Sequence, residues 1–464
     1  MNTTKKLFIF ALAAFMLFGC NKDRLMSPKG DMTAGLPAKP HATIPVDENG
    51  LITKLYLSKD TVWKIKGVAF VEPGTTLTIQ EGTFIVSGET KPYYDEETDN
   101  THHIKGVLVV PKNAKIMAIG TATEPIVFTS DKAAGERNTG DFGGVVLLGN
   151  ARINPGTARI EGIPKPLNVD VDYGGQNDAD NSGVMKYVRI EFAGYNLSQD
   201  NEINGLTCGG VGNGTTLENI QVSWGRDDAF EFFGGSVNAK YLVAISTDDD
   251  DYDFDFGYSG TIQYALSLKD PQSTNSLDRT GKSDSNGIES DNNGEGVFRD
   301  PTTRPILKNF TFLGIQNMDR AKKQLRFGNR WRRASSMNMT NSIIAGYDIG
   351  AVFEKITVTG SVFSNNVIHA YSAPFGGDSE VPGTGNITAI GTSINAAADF
   401  LKLFGQRDIF YSAENAFHYN LGNLVPTSNS PAYGDGKSTF KGAFNPSTKE
   451  LWTEYWTEFD PKNY

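Results

Sequence analysis

The chain has 464 residues, with 50 glycines, two cysteines and a formal net charge of −11. The acidic balance argues against nucleic acid as a partner, and so few cysteines leave stability to the core rather than to disulfides. A chain this long ordinarily forms two or three domains, unless a repeat merges them into one.

Lys5 and Lys6 precede an uninterrupted apolar stretch from Leu7 to Phe18, too short to span a bilayer. Residues 1–19 therefore read as a signal peptide. Leu17-Phe18-Gly19-Cys20 matches a lipobox, in which Cys20 becomes the new N-terminus and carries a lipid. Residues 20–44 are expected to be this lipidated N-terminus and a polar, Pro- and Gly-containing tether. With Cys20 acylated, Cys208 has no disulfide partner.

From residue 45 onward short β-type runs dominate, punctuated by Gly, Asn and Asp. Thr76 to Ile79, Gly106 to Pro111, Gly144 to Leu148, Tyr187 to Phe192 and Asn219 to Trp224 are examples. The strings Leu206-Thr207-Cys208, Phe230-Glu231-Phe232 and Phe254-Asp255-Phe256 recur at a constant spacing. Ile288-Glu289-Ser290 follows after an inserted loop, Pro271 to Ser285, and Leu325-Arg326-Phe327 comes next. A repeat of roughly 22–25 residues is one coil of a β-solenoid. The expected class is all-β, a single-stranded parallel β-helix over residues 45–425, closed by a C-terminal aromatic cap over 426–464 that holds Trp452, Tyr455, Trp456 and Phe459.

Alternation assigns faces. Leu206, Phe230, Phe254, Ile288 and Leu325 are expected in one inward column, and Cys208, Phe232, Phe256, Ser290 and Phe327 in a second. Cys208 reads as a small core residue rather than a nucleophile. Gly209-Gly210-Val211-Gly212-Asn213-Gly214 reads as a coil-to-coil turn, because no helix follows it to cradle a phosphate.

Several stretches resemble a known family. They include Lys105 to Pro111, Lys115 to Thr121, Gly143 to Gly149, Glu202 to Thr207, Asp227 to Gly235 and the ending from Trp452 to Pro461. Together they are similar to exported β-helix lipoproteins common in Bacteroidetes. That resemblance implies a right-handed, pectate-lyase-like β-helix and an outer-membrane setting, on the cell surface or the periplasmic face. It implies no particular activity.

Outward of the Phe columns, Glu231, Asp255 and Glu289 are expected in line with Arg326 above them. Asp227, Asp228 and Asp251 sit just before the strands. Two carboxylates about 4.8 Å apart repel by about 0.9 kcal/mol in water and about 3.5 kcal/mol at an effective dielectric of about 20. Such a ladder calls for a cation, shared protons or an arginine cover. Asp227, Asp228, Glu231, Asp251, Asp255 and Glu289 are the expected metal ligands, and an all-oxygen set favours Ca2+. No organic cofactor is expected.

Two functions compete. A binding protein would hold a polysaccharide or another extracellular ligand through Arg226, Arg326 and Arg330, with Trp224, Tyr252, Tyr258 and Trp331 as stacking surfaces, and could pass it to an outer-membrane transporter. A polysaccharide lyase or hydrolase would work through Glu231, Asp255, Glu289, Arg326 and Lys269, the last two as candidate bases. Binding is favoured, because no His lies near the ladder and fold alone does not imply catalysis. A structural surface module without ligand is the third class.

Overall fold

The computed structural model describes residues 36–96, 99–164, 169–198, 201–278, 280–448 and 450–464. The signal peptide, Cys20 and the first part of the tether lie outside these residues, as does Arg279 of the inserted loop. Runs rich in Val, Ile, Phe and Thr form short strands, each pairing in parallel with its equivalent one coil away, and the chain winds into a parallel β-helix with three faces. Thr216–Ser223, for example, bends at one corner to supply the first two faces of its coil. Phe230–Phe233 supplies the third face. The Gly210 turn links strand Leu206–Gly209 to Thr216–Ser223, and a Cβ at Gly210 (φ 57°) would lie 2.8 Å from the Gly174 nitrogen.

The corner between the first two faces is made by a single left-handed residue. It is Tyr187 (φ 51°), Asn219 (φ 54°), Tyr241 (φ 60°), Tyr264 (φ 61°) and Asn309 (φ 58°) in successive coils. Asn tolerates this conformation, whereas a Tyr there is strained by about 1–2 kcal/mol. Ring contacts offset the strain: Tyr241 and Tyr264 stack 5.5 Å apart at 9°.

Inside the coil, Phe230 stacks on Tyr252 at 5.3 Å and Phe232 on Phe254 at 5.5 Å. Tyr258 closes on Phe232 at 4.7 Å. Cys208 lies in this interior, fully buried, and burial pushes its thiol pKa up.

Three expected registers are corrected. Leu206 does pair with Phe230, but Phe230 pairs with Tyr252 rather than Phe254, Phe254 pairs with Ser290 rather than Ile288, and Ile288 pairs with Asn329 rather than Leu325. The inward columns therefore run Leu206, Phe230, Tyr252, Ile288, Asn329 and Cys208, Phe232, Phe254, Ser290, Trp331. All three are slips by an even number of residues. Such a slip keeps every side chain on its own face, so alternation alone cannot detect it. Phe256 and Phe327 leave the interior: Phe256 packs on Phe233 at 5.7 Å outside the coil, and Phe327 lies under the guanidinium groups of Arg326 and Arg330.

The ends also differ from expectation. His41–Thr43, placed in the tether, pairs with Val62 to Lys64 and opens the helix, with Pro40 and Pro45 flanking this edge strand. The last paired strand is Ile387–Ile390, well before residue 425. The segment beyond it does cover apolar surface, yet it lies along the side of the helix rather than across its end. Trp456, Leu451, Phe444 and Leu401 bury Val243, Ile245, Leu266, Leu268 and Leu313 on the outer surface of one face. Trp452 packs on Tyr241, and Trp456 sits edge-on to Tyr187. At the far end of this strap the Tyr464 hydroxyl donates to Glu191 and accepts from Arg189, while the Arg137 and Arg189 guanidinium groups flank its ring.

Candidate functional site

Strand alternation carries Glu231, Asp253, Glu289 and Arg330 outward in one column of the third face. Asp255 points to the same side, one column along, level with Phe233. The turns before these strands add a second acidic row for a local reason. The Asp250 backbone N–H donates to Asp228 at 2.8 Å, and the Asn286 N–H donates to Asp250, so each aspartate anchors the turn of the next coil.

Two groups of carboxylates result, each with oxygens within 4.8 Å of one another: Asp227, Asp228 and Asp249, then Asp228, Glu231 and Asp253. Asp228 is common to both. Asn204 donates to Glu231 from the preceding coil. Among the described residues no lysine or arginine pairs with Asp227, Asp228, Glu231, Asp249 or Asp253. Burial, then Asp250 and Asp227, push the Asp228 pKa well up. Glu231 is raised by burial, then by Glu161 and Asp253. Glu161, brought in by a separate loop, is itself raised to about 8 by burial and then by Glu202.

The upper part of the stripe is neutralised instead. Glu289 pairs with Arg332 and, at 3.4 Å, with Arg330. Asp291 holds Arg332 at 2.8 Å and Arg333 at 2.6 Å. Arg330 also takes Asp284 and Glu354. The site thus has a cation-starved acidic half beside an arginine-saturated half.

Residues 50–403 match the family described as the pectate-lyase like beta helix domain. The chain belongs to that family. A solved structure of similar course, pectate lyase Pel9A, is 12% identical with a TM-score of 0.36, over 84% of this chain and 88% of that one. No curated protein matches the chain.

In this pectate-lyase-like helix several expected site residues fall elsewhere. Tyr252, Tyr258 and Trp331 are completely buried in the interior and offer no stacking surface, because they occupy or pack against the inward columns. Trp224 is half-buried beneath the Lys462 ammonium. Arg226 remains exposed beside Asp227. Asp251 belongs to no carboxylate group: it is buried with Lys269 at 3.3 Å and accepts from the Thr247 and Ser267 hydroxyls. Lys269 spends its other protons on the Asp249 carbonyl and the Ser285 hydroxyl, which leaves no free base. Arg326 pairs with Asp278 at 3.4 Å instead of capping Glu289, because Arg330 holds that register position. Asp253 and Asp249, which crowd the ladder in sequence, are placed in the carboxylate groups by the true register. Glu161, from a loop, and Glu202, from the short strand Asn201–Glu202, lie outside the repeat and so carried no periodic signal.

Proposed function

We propose that this β-helix is held on the outer membrane by a lipid on Cys20, as in the Bacteroidetes lipoproteins it resembles, and presents its acidic stripe to an extracellular polysaccharide with the help of a divalent cation. The observation that carries this reading is the pair of carboxylate groups sharing Asp228, with no lysine or arginine paired to them among the described residues. Hard oxygen donors at this mutual spacing suit one Ca2+, whose ligands sit about 2.3–2.6 Å away. When bound, the ion supplies positive charge to which ligand oxygens can attach. The chain's own contribution is position: strands fix Glu231 and Asp253, turns fix Asp227, Asp228 and Asp249, and Arg332 and Arg333 stand on the adjacent rim. Handing cargo to an outer-membrane transporter is the corresponding role in the cell.

Binding is preferred over a lyase, since both candidate bases, Lys269 and Arg326, are committed to ion pairs, and over a hydrolase, since the crowded acids single out no one acid–base pair. The test is incubation of the mature protein with uronate and neutral polysaccharides, with Ca2+ and with chelator. Retention of unaltered glycan only with Ca2+ is expected. Unsaturated products or new reducing ends would replace binding with catalysis. A protein that takes neither ion nor glycan is a structural surface module.

A further inference from the structure

The last coil of the helix leaves a strand edge free. Ile387–Ile390 pairs in parallel with Val367 to Ala370, and among the described residues no strand pairs with its other edge. The Ile387 backbone N–H donates 2.8 Å to the Asn366 carbonyl, and the Gly391 N–H donates 3.3 Å to the Ala370 carbonyl. Successive residues of a strand turn their N–H and C=O groups to alternate sides, so those of Thr388 and Ile390 face away from the helix.

The core is open at the same end. Ile344, Ile368 and Thr388 form one inward column, and Tyr347, Ala370 and Ile390 form the next. Ile368 and Tyr347 are completely buried, yet Ile390 is 60% exposed, because no further coil lies over it.

The opposite end is closed. Edge strand His41–Thr43 is flanked by Pro40 and Pro45, and the residues after it fold back through a Val46 to Ile52 bridge that buries Ile44 and Ile52. An edge guarded in this way is a poor template for another strand, which blocks head-to-tail stacking of copies. Pro374 blunts the other free edge of the last coil, in strand Val367–Gly377, and leaves Ile387–Ile390 as the available template.

Charge favours self-association at this edge. The chain carries a net −11, yet no charged residue occurs from Val381 to Ala398. Two copies can bring these segments together without the like-charge repulsion that the acidic surface would impose elsewhere.

We infer that the open end docks a second copy of the chain, tail to tail about a two-fold axis. Such an axis sets the two free edges antiparallel. With the axis at Ala389, Thr388 of each copy lies opposite Ile390 of the other and exchanges N–H···O=C bonds with it, while the inward side chains of both copies cover the exposed core. The contact uses the same edge on both partners, so assembly closes at the dimer.

The test is sedimentation of the mature protein over a range of concentrations. The parent should dimerise reversibly. Thr388→Pro removes an outward N–H without breaking a bond inside the helix, and Ile390→Lys places a charge at the open core. Each should raise the dissociation constant at least about tenfold. Both positions are exposed, and an unchanged far-UV circular dichroism spectrum shows that each variant is folded. Ala389→Cys reads the axis itself. Opposed residues that exchange no hydrogen bonds lie about 4.5 Å apart at Cα, within reach of a disulfide, so this variant should oxidise to a covalent dimer. The parent, whose Cys208 is buried, should not. A parent that is monomeric at every concentration, a dimer that both substitutions leave intact, or an Ala389→Cys dimer that forms no disulfide would overturn the proposal.

Discussion

Glu231 stands beside Asp253 on the next coil, while Asp255, which repeats its Phe-acid-Phe setting in sequence, stands level with Phe233. This pairing, with Asp228 from the turn, defines the lower acidic group and decides which substitutions matter.

Asp228→Asn should act in opposite directions with and without cation. Without Ca2+ it removes a carboxyl that must be either ionised among its neighbours or protonated to stay buried, while keeping the oxygen that accepts from Asp250, so Tm at neutral pH should rise. With Ca2+ both groups lose their common ligand, and affinity should drop about 100-fold. Calorimetry together with thermal melts reads both effects. A variant that binds Ca2+ as well as the parent does would remove Asp228 from the site.

The cation-free protein should lose stability as pH rises. Glu161 is raised to about 8 by burial and Glu202, and Asp291 to about 6 by burial against the pull of Arg333. Unfolded carboxylates titrate near about 4. Between those values the native state binds more protons than the unfolded chain, so unfolding free energy falls with increasing pH. Melts in chelator should therefore show a lower Tm at pH 8 than at pH 5, and Ca2+ should flatten the slope. A Tm in chelator that is flat or rising across this range contradicts the assignment.

Lys269 should prove structural. Lys269→Met leaves the buried Asp251 carboxylate with hydroxyl partners only, a loss of about 3–5 kcal/mol. Denaturant unfolding should register that loss. Glycan binding measured below the transition should be unchanged, whereas a base would show itself as lost turnover with stability intact.

The strap should stabilise the helix from the side. Tyr464→Phe deprives Glu191 and Arg189 of a shared buried hydroxyl, at about 1–3 kcal/mol. Trp456→Ala opens the apolar outer face, at about 3–5 kcal/mol. Exposure of that face should also appear as concentration-dependent light scattering. Melts indistinguishable from the parent's would show that the strap is dispensable.

The sequence by itself determined the architecture: the Leu206 to Phe230 repeat, the alternation of Phe and acid, and the Gly-rich turns are local regularities that a parallel helix obeys coil by coil. It also placed an acidic stripe on one face. Only the tertiary structure decided which acids meet. A two-residue slip preserves inside and outside, so Asp253 and Asp255 are indistinguishable until the strands are paired. Nor could spacing show that Glu161 folds onto Glu231 from a distant loop, that Tyr252 and Trp331 turn inward, or that the C-terminal aromatics lie along the side of the helix. Those are contacts between segments far apart in the chain, fixed by packing rather than by period.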